Sequence, residues 1–207
     1  SVVVTVMYFA VQIAVTIFFV LLILLIPIIV IVSFLGIIIT LLSGFAAAVD
    51  NTDYASGSGA SIVAVAVQEI GYHEGAGNHT KYGVYTGTDG MSWCHAFVSW
   101  CANECGYIDT GVIPKFAGCV NGVQWFRERG QWADNSMEPS PGMIIFFDWD
   151  NKGSSGPQDG ESDHVGIVEK VENGTVYTVE GNSGDSCREN HYAIGYYEIL
   201  GYGMPQY

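Results

Sequence analysis

The first 49 residues contain no Asp, Glu, Lys, Arg or His. The whole chain holds only 7 Lys and Arg against 21 Asp and Glu, a net charge of −14, all of it beyond Val49. A surface that acidic repels a phosphate backbone, so nucleic acid is not expected as a partner. Cysteine is sparse too. Five residues are an odd number, which leaves at least one unpaired, and too few for a disulfide scaffold. There is no internal repeat, no phosphate-cradling glycine loop, no serine-centred nucleophile elbow and no paired Cys-x-x-Cys spacing, so no cofactor is indicated.

What the N-terminal region has is apolar length. As a helix, residues 1–49 would run roughly 73 Å against a hydrocarbon core of about 30 Å. Residues 17–42 alone are long enough to cross, and a buried soluble helix would leave too much apolar surface uncovered. A hairpin needs a polar turn, and residues 22–32 offer only Pro27 in an apolar run. One crossing, about 17–42, is therefore expected, with membrane lipid as its partner. Ala46-Ala47-Ala48 would suit a signal-peptide cleavage site, but the apolar region far exceeds the usual roughly 7–15 residues and no basic segment precedes it. Without Lys or Arg on the N-terminal side, charge asymmetry does not orient the segment. The chain opens at Ser1 rather than Met, which suggests that some N-terminal sequence is missing.

Residues 50–60, rich in Gly, Ser and Asn, read as a linker, and 61–207 as one domain long enough for a real core. Helices are expected over 61–70, 92–104 and 121–129, and residues 71–90 read mostly as loop. After Pro139-Ser140-Pro141-Gly142 the pattern becomes strand-like over 143–147, 164–171, 175–180 and 191–200. Glu172-Asn173-Gly174 is a strong hairpin turn between the second and third of these. Helices first and strands after predict an α+β fold with an antiparallel sheet.

Two stretches carry chemistry. In Trp93-Cys94-His95-Ala96-Phe97-Val98-Ser99-Trp100-Cys101, a cap at Ser92 would put Cys94 in the first turn of a helix. There the positive end of the helix favours the thiolate, the form in which cysteine is a nucleophile. Cys101 and Cys105 fall on the same helical stripe and read as inert core thiols. A zinc site from His95, Cys101 and Cys105 lacks the usual spacing. In Asp163-His164-Val165-Gly166-Ile167-Val168, a histidine opens a strand whose Val165, Ile167 and Val171 are apolar, with Val168 on the other face. The hairpin brings the end of the next strand, Glu180 and Asn182, back to His164. An acid or amide there can accept the Nδ1 proton and leave Nε2 to act on the thiol. Among the other histidines, His73 and His79 lie in a Gly-rich loop and would line a groove. His95 neighbours Cys94 but points about 100° away along the helix. His191 reads as surface. Asp148-Trp149-Asp150-Asn151-Lys152-Gly153, with Asp159, has the outline of a calcium loop. Lys152 stands where an oxygen ligand is wanted, so a solvated acidic loop is the better reading.

With those residues in hand, the chain resembles the CHAP family (cysteine, histidine-dependent amidohydrolases/peptidases) over about residues 61–207. The resemblance rests on Trp93-Cys94…Phe97-Val98-Ser99-Trp100-Cys101-Ala102-Asn103, Pro141-Gly142-Met143-Ile144-Ile145-Phe146-Phe147, Asp163-His164-Val165-Gly166-Ile167-Val168 and Glu180-Gly181-Asn182-Ser183, in that order. His95 stands where the family has a small or apolar residue, and Met143 replaces a common Asp. The calcium site of some phage members is not matched ahead of Cys94. The resemblance implies a papain-like fold and cleavage of peptidoglycan, as amidase or endopeptidase. Its roles fall on Cys94 as nucleophile, His164 as base, and Glu180 with Asn182 as orienting groups. It further implies a wall-side domain tethered by the apolar segment, similar to hydrolases of Gram-positive conjugative systems that open the wall for a secretion channel, whose proteins would be partners. A γ-glutamyl peptidase of NlpC type and an inactive peptidoglycan-binding module are the alternatives; Glu180-Gly181-Asn182 favours the first reading over the NlpC one. A disulfide between Cys119 and Cys187 is compatible with the sequence, though spacing does not establish it.

Overall fold

The computed structural model describes residues 7, 12–24, 26, 58–116 and 118–207. The chain divides into two units, 1–53 and 54–207. In the first, residues 12–24 are helical with their large apolar side chains exposed. Among the described residues no helix is long and apolar enough to cross a membrane. The expected crossing, 17–42, lies for the most part outside them.

The second unit is built in the expected order, helices then strands. Four helices, α1 (Gly59–Gln68), α2 (Lys81–Thr86), α3 (Cys94–Glu104) and α4 (Cys119–Glu128), precede six strands. These are β1 (Trp132–Ala133), β2 (Ile144–Phe147), β3 (His164–Glu172), β4 (Thr175–Glu180), β5 (Arg188–Ala193) and β6 (Ile199–Gly203), forming one sheet in the order β1-β6-β2-β3-β4-β5. Every pairing is antiparallel. Three local expectations change. Helix α2 stands inside the stretch read as loop, nucleated by Thr80, whose Oγ1 accepts from Gly83 N at 2.9 Å. The strand expected over 191–200 is two strands, β5 at one edge of the order and β6 next to the other edge, between β1 and β2. Helix α3 starts at Cys94 after Trp93, so the cap expected of Ser92 is absent and Cys94 is the first helical residue.

The core has a layer on each side of the sheet. Between sheet and helices lie Trp93, Phe97, Val98, Cys101, Phe126, Ile144, Phe146, Val165, Ile167 and Val179. On the other face Ile145, Phe147, Val168, Val176, Ile199 and Tyr202 pack together. Trp93 and Tyr82 stack at 5.2 Å between ring centres, and Phe97 meets Tyr82 edge-on at 5.3 Å. Such fully buried aromatics dominate a core this size, and they anchor the start of α3 in it. All five cysteines are free thiols, so the Cys119–Cys187 disulfide does not form: Cys119 faces Cys94, while Cys187 lies within electrostatic reach of Cys101.

Candidate active site

Cys94 opens α3, so its backbone N–H is one of the helix donors with no partner inside the helix. The side chain is 5 % exposed, and its Sγ lies 3.7 Å from Cys119 Sγ at the first residue of α4. Its acidity is raised well beyond that of an ordinary thiol. The hydrogen bond from Cys119 is the main cause; burial opposes it, and the hydrogen bond and charge of His164 add to the lowering of its pKa. Cys119 moves the other way, its proton held by the bond to Cys94 and by burial. Burial pushes the other thiols the opposite way from Cys94: Cys105 up to about 11, Cys187 up to about 12, and Cys101 well above the ordinary thiol range.

His164 and Glu180 meet because of a register shift. Strands β3 and β4 leave the Asn173-Gly174 turn with Glu172 opposite Thr175 and Val171 opposite Val176. Between Val168 and Lys170 the register slips by one residue, so that Val168 faces Thr178 and Ile167 faces Val179. Glu169 is the extra residue of a β-bulge. Beyond it, Glu180 falls opposite Gly166 and shares a face with His164; without the bulge it would share a face with Val165 and Ile167. This also corrects the expected strand pattern, since Val171 packs on the Val168 side rather than with Ile167. A Cβ on Gly166 would sit 2.6 Å from Glu180 Cγ, so the bare backbone there lets the carboxylate lie across β3.

The ring orientation is the reverse of that expected. His164 Nε2–H donates to Glu180 Oε2 at 2.9 Å, which leaves Nδ1 as the ring nitrogen available to Cys94. Glu180 is held in turn by Thr178 Oγ1–H on its Oε1 at 2.6 Å and by Asn190 Nδ2–H on its Oε2 at 2.9 Å. Burial opposes the imidazolium, but the bonds to Cys94 and Glu180 overcome it and raise His164 from 6.5 to about 10. Burial likewise opposes the Glu180 carboxylate, and the bond from His164 holds it below its ordinary range. Thiolate, imidazolium and carboxylate thus form one buried line.

Asn182 stands on the cleft wall beside His164 and Cys94, in the left-handed region (φ 58°) that Asn tolerates. Gly181 before it is pressed onto α3: a Cβ there would be 2.5 Å from Phe97 Cβ and 2.8 Å from Trp93 Cζ3. Trp149 covers the imidazole, its ring stacked 5.6 Å away, and its backbone N–H donates to Asp163 Oδ2 at 3.0 Å. Two hollows meet at Cys94. One, of about 240 Å³, is lined by Met91, Ser92, Phe116 and Cys119; the other, of about 230 Å³, by Trp149, Lys152, Ser154 and Asn182. A larger hollow of about 440 Å³, between α1 and α3, is lined by none of these groups.

The other histidines fall elsewhere. His79 Nδ1 pairs with Asp89, His73 bridges to Ser186, and His191 is exposed beside Tyr177. His95 is buried against Phe116, and burial lowers it to about 4, so it is neutral. In the loop outlined as a calcium site, Asp148 accepts Gly160 N–H at 2.8 Å and Asp159 N–H at 3.4 Å, while Lys152 pairs with Glu198. Those carboxylates already hold protein donors, and among the described residues no group of three or more His, Cys, Asp or Glu is arranged for a metal. Sequence reasoning missed Cys119, Asn190 and Trp149. Thr178 was legible, being two residues before Glu180 on one strand face. Asn190 becomes a neighbour only through the β4–β5 register, in which it faces Thr178.

Residues 86–182 match the family model of the CHAP domain, a stretch that holds Cys94, Cys119, His164, Glu180 and Asn182. No curated protein matches the chain. Among solved structures, Ly7917, determined alone and with the hydrolysing product of MDP, is 18 % identical with a TM-score of 0.46. The alignment covers 72 % of this chain and 63 % of that one, so the chain spans less than two thirds of the protein it matches.

Proposed function

We propose that this CHAP domain is a cysteine-dependent peptidoglycan hydrolase that cuts an amide bond of the bacterial cell wall, as amidase or endopeptidase. The observation that carries the reading is the buried line Cys94–His164–Glu180 at the junction of two hollows. In this reading the Cys94 thiolate attacks the carbonyl carbon of an amide laid across the junction, and the Cys94 backbone N–H receives the developing oxyanion. The imidazolium of His164 gives its Nδ1 proton to the departing amine. Neutral His164 then takes a proton from water as that water attacks the thioester carbonyl; the C–S bond breaks, the acid product leaves, and the Cys94 thiolate and His164 imidazolium are restored. Glu180 keeps the ring aligned and its charge balanced throughout. A helix-borne cysteine opposite a sheet-borne histidine is a papain-like arrangement, as the resemblance implies.

Peptidoglycan lies outside the plasma membrane, so the domain belongs on the wall side, held to lipid by the apolar N-terminal region. Local wall opening for a conjugative secretion channel fits such a tethered enzyme. The test is to incubate the full chain, as wild type, Cys94→Ala and His164→Ala, with purified peptidoglycan and to identify the soluble products by mass spectrometry. Release by wild type alone is expected, with new termini that separate amidase from endopeptidase. Turnover by either folded variant would overturn the mechanism. Failure of wild type on several wall types would favour an inactive binding module.

A further inference from the structure

We propose that Cys119 is a positioning residue for Cys94: its S–H, delivered by the start of α4, donates to the Cys94 sulfur and holds it as an anion. The word nucleophile for Cys94 rests on the function proposed above, but the thiol pair itself does not.

Geometry carries the argument. The two sulfurs are 3.7 Å apart, and each belongs to the first residue of a helix, Cys94 of α3 and Cys119 of α4. The positive ends of two helices therefore converge on one sulfur pair. The approach depends on Gly122, one turn along α4 from Cys119. A Cβ there would lie 2.9 Å from the Phe146 ring and 3.0 Å from His95 Nε2, so any side chain would push α4 away from α3. Cys94 and Cys119 are 5 % and 9 % exposed, and a thiol is a weak donor in water but a better one to an anion away from solvent.

The surroundings decide which sulfur carries the charge. Cys94 faces His164 from β3, itself backed by Glu180 from β4, and neutral His95 is its neighbour on α3. Cys119 faces Cys94 and feels the negative charge of Asp163, both of which keep its proton in place. One site of the pair favours the anion and the other the proton, which makes Cys119 the donor and Cys94 the acceptor.

The test follows alkylation of Cys94 by iodoacetamide against pH in the full chain, with peptide mass spectrometry to separate Cys94 from the other four thiols. Wild type, Cys119→Ala and Cys119→Ser are compared, with near-ultraviolet circular dichroism as the check on folding. Cys119→Ala is expected to move the midpoint of the acid limb up by about one pH unit, a tenfold loss of thiolate below it. Cys119→Ser, which still donates, should stay within a few tenths of a unit of wild type. Should Cys119→Ala not fold, Cys119→Val serves as the non-donating variant. Equal shifts in both variants, or no shift in either, would overturn the proposal, since bulk alone would then account for Cys119. The assay needs no peptidoglycan, so failure to hydrolyse the wall and failure of the thiol contact are separately visible.

Discussion

Replacing Glu180 by Gln deletes one buried negative charge while keeping the shape of the side chain. The amide carbonyl can still accept from His164 Nε2 and Asn190 Nδ2, which share one carboxylate oxygen. The amide NH₂ can donate to Thr178 Oγ1, which turns from donor to acceptor. The fold should therefore survive, and the effect should fall on charge. In the wild type the surroundings raise His164 from 6.5 to about 10, a preference for the imidazolium of about 5 kcal/mol at ~1.4 kcal/mol per unit. Exchanging a charge-assisted bond for a neutral one, together with the lost attraction, should remove roughly one to two pH units of that shift. The sign follows from which species is stabilised. His164 loses support for its proton, so the alkaline limb of peptidoglycan hydrolysis moves down. His164 is protonated throughout the acid limb in both proteins, and losing a neighbouring negative charge does not disfavour the thiolate, so the acid limb stays or moves slightly down. The two limbs belong to the coupled pair, and the active window shortens from its alkaline side. Initial rates across pH for wild type and Glu180→Gln measure both limbs, with thermal melting as the folding control. An unmoved alkaline limb in a folded variant would refute the placement of charge along the Cys94–His164–Glu180 line.

Two further outcomes follow from the backbone that builds this line. Deleting Glu169 removes the bulged residue, so a hairpin that keeps its turn would carry Glu180 to the face of Val165 and Ile167; activity should fall by at least ~100-fold, as for loss of a base-orienting group, and full activity would show that the bulge does not set the site. Gly181→Ala places a methyl group 2.5 Å from Phe97 Cβ, an overpacking that should cost about 1–3 kcal/mol and lower the melting temperature by several degrees, whereas an unchanged melting temperature would mean that β4 does not dock on α3 as described.

The parts of the site legible in the sequence were those set by local chemistry. Cys94 at a helix start, His164 at a strand start and the Asn173-Gly174 turn each follow from residue types within a few positions of one another. The turn alone brings Glu180 back beside His164 in distance along the sheet. Whether Glu180 faces His164 is a matter of parity, and parity is decided by Glu169, a charged residue in a strand with nothing in its type to mark a bulge. The expected proximity thus holds for a reason the pattern did not contain, and the expected face of Val171 is wrong for the same reason. The choice of ring nitrogen was equally out of reach, because it depends on the side from which the carboxylate arrives.

Cys119 was illegible for a different cause. It lies 25 positions from Cys94, on a helix that meets α3 only because Gly122 lets the two backbones close up. A lone buried cysteine is by default a small apolar residue, and the sequence alone is equally compatible with Cys187 as its partner. What separates the two is where each helix or strand begins. Cys187 precedes β5 on the far side of β4, while Cys119 opens a helix aimed at the same point as α3. The site is therefore an assembly of element ends: two helix starts, one strand start and one strand finish converge on a single sulfur. Side chains at such ends are fixed by the core behind them and open to the cleft in front, which is the combination a buried yet reachable nucleophile requires.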